Sequence, residues 1–198
     1  AVFFFEDERR PYHQCGGQCE LIFVPEGHLP SREEEKAQYD LHENSPDDTG
    51  YRRFLGRLTD PLLEKLSPES VGLDFGCGPG PTLSVMLEEA GHRVVLFDPI
   101  YHPNQKVLEG QYDFITATEV FEHLHNPQDE LKRLWNCLGP GGWLGVMTKR
   151  VRTREAFSKW HYIQDPTHVG FWSGNTFGWL AGHWGATLEL IEPDVVLI

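Results

Sequence analysis

From Val71 to Ile198, short apolar runs of strand type alternate with runs of helical period, and this alternation constrains the fold more than any other property of the chain. "VGLDF", "RVVLFD", "YDFITAT" and "WLGVMTK" are rich in β-branched and aromatic residues and read as strands. Between them, "PTLSVMLEEAG" reads as a helix with Pro81 in its first turn and Gly91 as its stop. "NPQDELKRLWNCLGPGG" reads as a helix ended by Gly and Pro, and "SGNTFGWLAGHWG" as a helix capped by Ser173. "TLELIEPDVVLI" reads as a hairpin turning at Glu192–Asp194. The alternation predicts an α/β fold: a mainly parallel sheet with helices on both faces, to which the C-terminal hairpin adds an antiparallel strand.

The preceding residues follow another pattern. Residues 1–30 hold "AVFFFED" and "CELIFVP", two short β pieces around a polar stretch. Residues 31–66 are helical in pattern. Ser31 and Glu34 make a capping box for a helix over about 32–42, which "NSPDDTG" breaks. "YRRFLGRLTDPLLEKL" spaces its leucines at helical intervals, and Pro61 is expected to kink or restart that helix. Three units follow: 1–30, a β-rich segment; 31–66, a front or lid segment; and 67–198, the main domain.

The first strand of the alternating half runs into "DFGCGPG", with Gly76, Gly78 and Gly80 two residues apart. In an open α/β sheet ligands lie beyond the carboxyl ends of the strands, and glycines there let the backbone approach closely. A triphosphate loop needs Gly-Lys-Ser/Thr, which is missing. A dinucleotide loop needs G-x-G-x-x-G, and here the last gap is one residue short. Asp74, two residues before the first glycine, would repel a pyrophosphate and attract an ammonium. Asp98 ends the second strand eighteen residues after Gly80, where a carboxylate accepts ribose hydroxyls. A ligand with a ribose, a positive end and no phosphate fits, and S-adenosylmethionine has all three features.

"LDFGCGPG", "FDP", "YDFITATEVFEHLHNP" and "LGPGGWL" together resemble the class I S-adenosylmethionine-dependent methyltransferases, closest to the small-molecule type with a "VLEHL"-like motif. The resemblance covers about Tyr51 to Ile198. It implies a Rossmann-like sheet of seven strands with the last antiparallel, and S-adenosylmethionine as cofactor. It implies Gly76, Gly78 and Gly80, with Cys77 among them, under the methionine part, Asp98 on the ribose, and Glu119 and Val120 on the sulfonium side. In related enzymes the segment before the first strand folds over the cofactor, which makes Tyr39, His42 and Tyr51 lid residues. One departure stands out: only fourteen residues separate Asp98 from Asp113, where a helix and a third strand usually fit. A shortened sheet edge and an open adenine pocket are expected, closed by Pro99, Ile100 and Tyr101.

A sulfonium methyl is already activated, so the protein has to align the acceptor and exclude water, adding a base only if the acceptor loses a proton. His123, in "EVFEHL", belongs near the reactive end of the cofactor, with a capping role as the plainer reading. "WHYIQDPTHVGFWS" sets His161, Asp165 and His168 among Trp160, Tyr162, Phe171 and Trp172, as a packed corner, as an acceptor pocket or base, or, least favoured, as a metal site. His123, His161 and His168 are the catalytic candidates, and no metal site is expected. Cys15 and Cys19 are spaced C-x3-C, unlike the usual zinc pair, and a plain β-hairpin is expected there, although it resembles the second knuckle of a zinc ribbon. Cys77 and Cys137 read as core positions.

The formal charge of −13 argues against a general nucleic-acid binder. It is uneven: residues 1–50 carry twelve acids and four Lys or Arg, whereas "TKRVRTREAFSK" carries five bases and one acid. The latter reads as a solvated face or as a patch for an anionic substrate. With Lys149, Arg150, Arg152 and Arg154 it leaves RNA methylation open. A non-catalytic binding protein of the same fold and a nicotinamide oxidoreductase are the rival readings. No run approaches the ~20 apolar residues of a membrane span, and "AVFFF" is too short for a signal segment. The expectation is a cytoplasmic protein acting on a small-molecule methyl acceptor, processed at its start or beginning inside a longer product because it lacks an initiator Met. Four cysteines are too few for a disulfide scaffold.

Overall fold

The computed structural model describes residues 1–41 and 44–198. Strands β1 (Val2–Glu6), β2 (Pro11–Gln14) and β3 (Ile22–Phe23) come first, then helices α1 (Arg32–Tyr39) and α2 (Thr49–Leu63). The alternating half runs β4 (Val71–Phe75), α3 (Thr82–Glu89), β5 (Arg93–Phe97), β6 (Tyr112–Thr118), α4 (Pro127–Cys137) and β7 (Leu138–Met147). It ends with α5 (Arg154–Phe157), β8 (Gly170–Phe171), α6 (Gly174–Trp184), β9 (Glu189–Ile191) and β10 (Val195–Leu197).

Six strands form the main sheet in the order β5-β4-β6-β7-β10-β9. The first four are parallel, and β10 lies antiparallel between β7 and β9. The sheet is Rossmann-like with the expected antiparallel strand, but it has six strands where seven were implied. The segment after β5 is too short for a strand and a crossover helix. It forms one 3₁₀ turn, Gln105–Glu109, that Asn104 caps by accepting from the Lys106 N–H. Val107 and Leu108 pack on the core, and the Tyr112 hydroxyl donates to the Val107 carbonyl at 2.7 Å.

The helices cover both faces because each buries one stripe. Leu55, Leu58 and Leu62 of α2 and Leu83 and Leu87 of α3 meet Phe114, Met147, Val195 and Leu197. On the other face, Leu131 and Leu134 of α4 and Phe177 and Leu180 of α6 meet Ile115, Leu144 and Val196. The expected capping box of Ser31 with Glu34 forms, and Ser173, expected as a cap, makes a box of its own with Thr176. Gly185, at φ +67°, ends α6 in the left-handed conformation that glycine adopts freely. Pro61 does not restart α2, which continues to Leu63. It stands in the last turn, where the missing N–H removes a single intrahelical bond.

The first three strands form a meander, and β8 pairs with β3 to complete a four-stranded sheet. β2 occupies the stretch that reads as polar, because Tyr12 is fully buried beneath its polar neighbours. A second core forms there from Phe4, Tyr12, Ile22 and Val24 with Phe157, Tyr162, Ile163, Val169 and Phe171. The N-terminal sheet therefore packs against the segment between β7 and α6. Among the described residues, no helix is long and apolar enough to cross a membrane.

Candidate active site

The loop after β4 is tied to the neighbouring strand. The N–H groups of Gly76 and Cys77 donate to the Phe97 carbonyl at 2.8 and 3.2 Å. Gly76 has φ +75°, and a Cβ there would lie 2.5 Å from a Val120 methyl. Gly78 has φ +65° with open space where a Cβ would point, and a Cβ on Gly80 would lie 2.4 Å from the Asn44 carbonyl oxygen. The loop is thus bounded by Val120 on one side and by the chain leading into α2 on the other. Cys77 is half-buried in this loop, so it is not the core position expected of it, and burial raises its thiol pKa. Cys137 is in the core.

Asp74 is buried at the end of β4, paired in register with Leu96 and Thr116. Its carboxylate accepts from the Thr116 hydroxyl at 2.8 Å. Burial pushes its pKa up to about 6, against the lowering effect of that bond. Asp98 follows β5. One of its oxygens accepts from the Gly78 N–H at 3.1 Å and the other from the N–H groups of Ile100 and Tyr101 at 2.8 and 2.9 Å. These bonds hold the carboxylate across the strand ends. Three of its roughly four acceptor positions are used, which leaves room for a ligand donor. Pro99 is exposed on the turn that Asp98 closes.

The front segment contacts the chain that follows both β5 and β6. From α1, Asp40 accepts from the Tyr101 hydroxyl at 2.7 Å, and Glu35 lies 2.8 Å from His125 Nε2. Between these anchors the Tyr39 ring meets the His123 ring edge-on at 5.3 Å between centroids. Burial raises the pKa of the Tyr39 phenol, with further contributions from Glu35, Asp165, Glu122 and Asp98. Tyr51 stacks on Phe54, and burial pushes its pKa up to about 12, helped by Asp74 and Glu119. His42 lies outside the described residues.

Beyond β6 the chain turns sharply. Glu119 adopts φ +52°, unfavourable for a glutamate, with its N–H donating to the Met147 carbonyl at 2.7 Å. Its Oε1 is buried with no hydrogen-bond partner among the described residues. Burial pushes its pKa up to about 9, reinforced by Glu122 and Asp194. Glu122 is fully buried. It accepts from the Thr148 hydroxyl at 2.9 Å and, by a short bond, from the Tyr162 hydroxyl.

His123 and His168 are brought together with ring centroids 4.9 Å apart. His123 Nδ1 lies 3.0 Å from the Thr167 carbonyl, and His168 Nδ1 lies 2.8 Å from the Tyr162 carbonyl. His168 also packs on the Tyr162 ring at 4.0 Å, and burial lowers its pKa. Asp165 Oδ2 is 3.8 Å from His168 Nε2. His161 does not join them: it is exposed, and its Nε2 accepts from Lys149 Nζ at 2.9 Å.

Sequence reasoning missed Glu122 and Arg10. Glu122 stands inside "EVFEHL", and its signal was the pair of acids three residues apart after a strand. Arg10 is buried and donates to the carbonyls of Ile163, Asp165, Pro166 and His168 at 2.7–3.3 Å. It holds the loop that carries His168. Nothing in its local sequence marks this, because those partners lie more than 150 residues away. Cys15 and Cys19 are free thiols whose sulfurs interact, the bond lowering the pKa of Cys15 and burial raising that of Cys19. No group of three or more metal-ligating side chains includes them among the described residues.

A family model described as a methyltransferase domain matches residues 48–191. Among solved structures, the 1,6-didemethyltoxoflavin-N1-methyltransferase of Burkholderia thailandensis is similar, at 15% identity and a TM-score of 0.54, over 100% of this chain and 97% of that one. It was solved with 1,6-didemethyltoxoflavin and S-adenosylhomocysteine bound. The magnesium protoporphyrin IX methyltransferase of Synechocystis, with bound S-adenosylhomocysteine, is similar at 13% identity and a TM-score of 0.56, over 83% of this chain and 92% of that one. At these identities the likeness is one of fold.

Proposed function

Because the chain belongs to the methyltransferase-domain family, we propose that it transfers the methyl group of S-adenosylmethionine to a small acceptor held beside His123 and His168. The observation that carries this reading is the placement of Asp98, fixed by three backbone N–H groups across the strand ends with acceptor capacity left for ribose hydroxyls. The left-handed Gly76 and Gly78 would let the backbone pass under the methionine part, and Asp74 would meet its ammonium through the field of a buried carboxylate. Glu119 and Val120 would border the sulfonium. Pro99, with Ile100 and Tyr101, would border the adenine.

In the reaction, a heteroatom of the acceptor attacks the methyl carbon in line with the C–S bond. The new bond to carbon forms as the C–S bond breaks, and its electron pair stays on sulfur as S-adenosylhomocysteine. The protein's part is alignment and exclusion of water. Tyr39 and Tyr51 would cover the crevice, and His123 and His168 would hold the acceptor's heteroatom. His161, turned to Lys149 on the surface, is left out of the chemistry. The cation-rich stretch from Lys149 is largely committed, since Arg150 and Arg152 both pair with Glu192. That arrangement favours a small acceptor over RNA.

Isothermal titration with S-adenosylhomocysteine tests the donor site. One equivalent should bind, and Asp98→Ala should weaken it roughly 10- to 100-fold, the worth of hydrogen bonds to a charged acceptor. Absence of binding to the unmodified chain, with binding of NAD instead, would overturn the reading.

A further inference from the structure

Among the described residues one set of metal-ligating side chains converges, and it lies at the acceptor corner. A carboxylate oxygen of Glu122 and one ring nitrogen each of His123 and His168 all lie within 4.8 Å of one another. We propose that Glu122, His123 and His168 form a site for a divalent first-row metal ion.

The hydrogen bonds around the three side chains carry the inference. A carbonyl oxygen only accepts, so both Nδ1 atoms facing carbonyls must bear hydrogen. That fixes one tautomer for both rings and leaves each Nε2 with its lone pair. Neither Nε2 makes a hydrogen bond among the described residues. Histidine ligands are typically held this way, with the other ring N–H donated to a carbonyl. The carboxylate is oriented likewise, by the Thr148 and Tyr162 hydroxyls, and two hydrogen bonds leave it positions for a cation. Glu122 is fully buried, yet no Lys or Arg among the described residues is within salt-bridge distance of it. A buried carboxylate without a counter-charge is costly, and a cation would supply one. Three residues upstream, Glu119 keeps a buried and unpartnered Oε1.

Two imidazoles with one carboxylate suit manganese, iron, cobalt or zinc better than a thiol-seeking ion. Three protein ligands leave coordination positions open, as in sites that bind substrate. The acceptor class follows, resting on the acceptor-corner reading above, with the ion in place of a direct imidazole contact: a hydroxyl compound whose oxygen completes the coordination shell, releases its proton to solvent on binding the cation, and is the atom methylated.

The test uses the full chain, stripped of metal with a chelator, and Mn2+ as the probe. Calorimetry should show one equivalent bound, and His123→Asn, His168→Asn and Glu122→Gln should each weaken it roughly 100-fold or more. Thr148→Val, which removes a donor to the carboxylate, should weaken it about 10-fold. Cys15→Ser/Cys19→Ser should leave it unchanged. Binding of S-adenosylhomocysteine to the same variants reports whether the fold and donor site are intact. Failure of the unmodified chain to bind Mn2+ or Co2+ while it still binds S-adenosylhomocysteine overturns the metal site and leaves the donor reading standing. Undiminished Mn2+ binding by both histidine variants also overturns it. Metal binding without S-adenosylhomocysteine binding would instead sink the donor reading.

Discussion

Asp74 is a buried carboxyl whose one hydrogen-bond donor among the described residues is the Thr116 hydroxyl. Its pKa near 6 lies above the ordinary unfolded value, so the native chain holds its proton more tightly. The sign follows: this group costs nothing below about pH 4, and its ionisation removes stability as the pH climbs through 6. Asp74→Asn, which keeps an oxygen for Thr116, should make the ligand-free protein more stable at pH 8 by about 1–3 kcal/mol, and little changed at pH 4. Urea unfolding at the two pH values checks this. The same variant should bind S-adenosylhomocysteine more weakly, because the charge proposed to face the donor's ammonium is lost. Gly76→Ala combines a left-handed φ with a Cβ 2.5 Å from Val120. It should cost more than about 1 kcal/mol and depress donor binding, with Val120→Ala restoring part of both in a double variant.

At the scale of elements, helix ends and parallel strands were legible because their signals are local. Ser31 with Glu34, Ser173 before α6, and Gly185 after it act within one turn of where they stand. The shortening of the sheet edge was legible as well, from the length of the segment after Asp98, whereas the loss of the whole strand was not. β2 and the role of Arg10 were not, since Tyr12 is buried by residues from the far end of the chain and Arg10 binds carbonyls there. The same distance hid the pairing of His168 with His123, while His161 resembled them in sequence and ended on the surface. Arg10→Lys keeps the charge but loses the fork that spans four carbonyls. It should cost about 2–4 kcal/mol and lower methyl transfer while S-adenosylhomocysteine affinity holds. Thermal unfolding and calorimetry separate the two effects. On the opposite side, the Asp40–Tyr101 bond is exposed, so Tyr101→Phe should change stability by less than about 1 kcal/mol. It should nevertheless speed amide exchange in α1, read by mass spectrometry.

Across the whole molecule, two sheets share one polypeptide segment. The main sheet carries the proposed donor site, and the small sheet, completed by β8, carries the wall that bears His168. Removing residues 1–30 would take away three of the four strands of that small sheet and expose Phe157, Tyr162 and Phe171. The truncated chain should still bind S-adenosylhomocysteine, lose acceptor turnover and bind a hydrophobic dye; a truncation that keeps full turnover would show that the wall stands alone. At the opposite border, β5 is the outermost strand and is followed by a single 3₁₀ turn. With no further strand outside β5 among the described residues, the nucleobase end of the proposed donor would be bordered by Pro99, Ile100, Tyr101 and the end of α1 rather than by a sheet edge. Donor analogues enlarged at the exocyclic amine, such as an N6-benzyl derivative, should therefore be tolerated, which would make the enzyme a tool for labelling its own acceptor in a mixture.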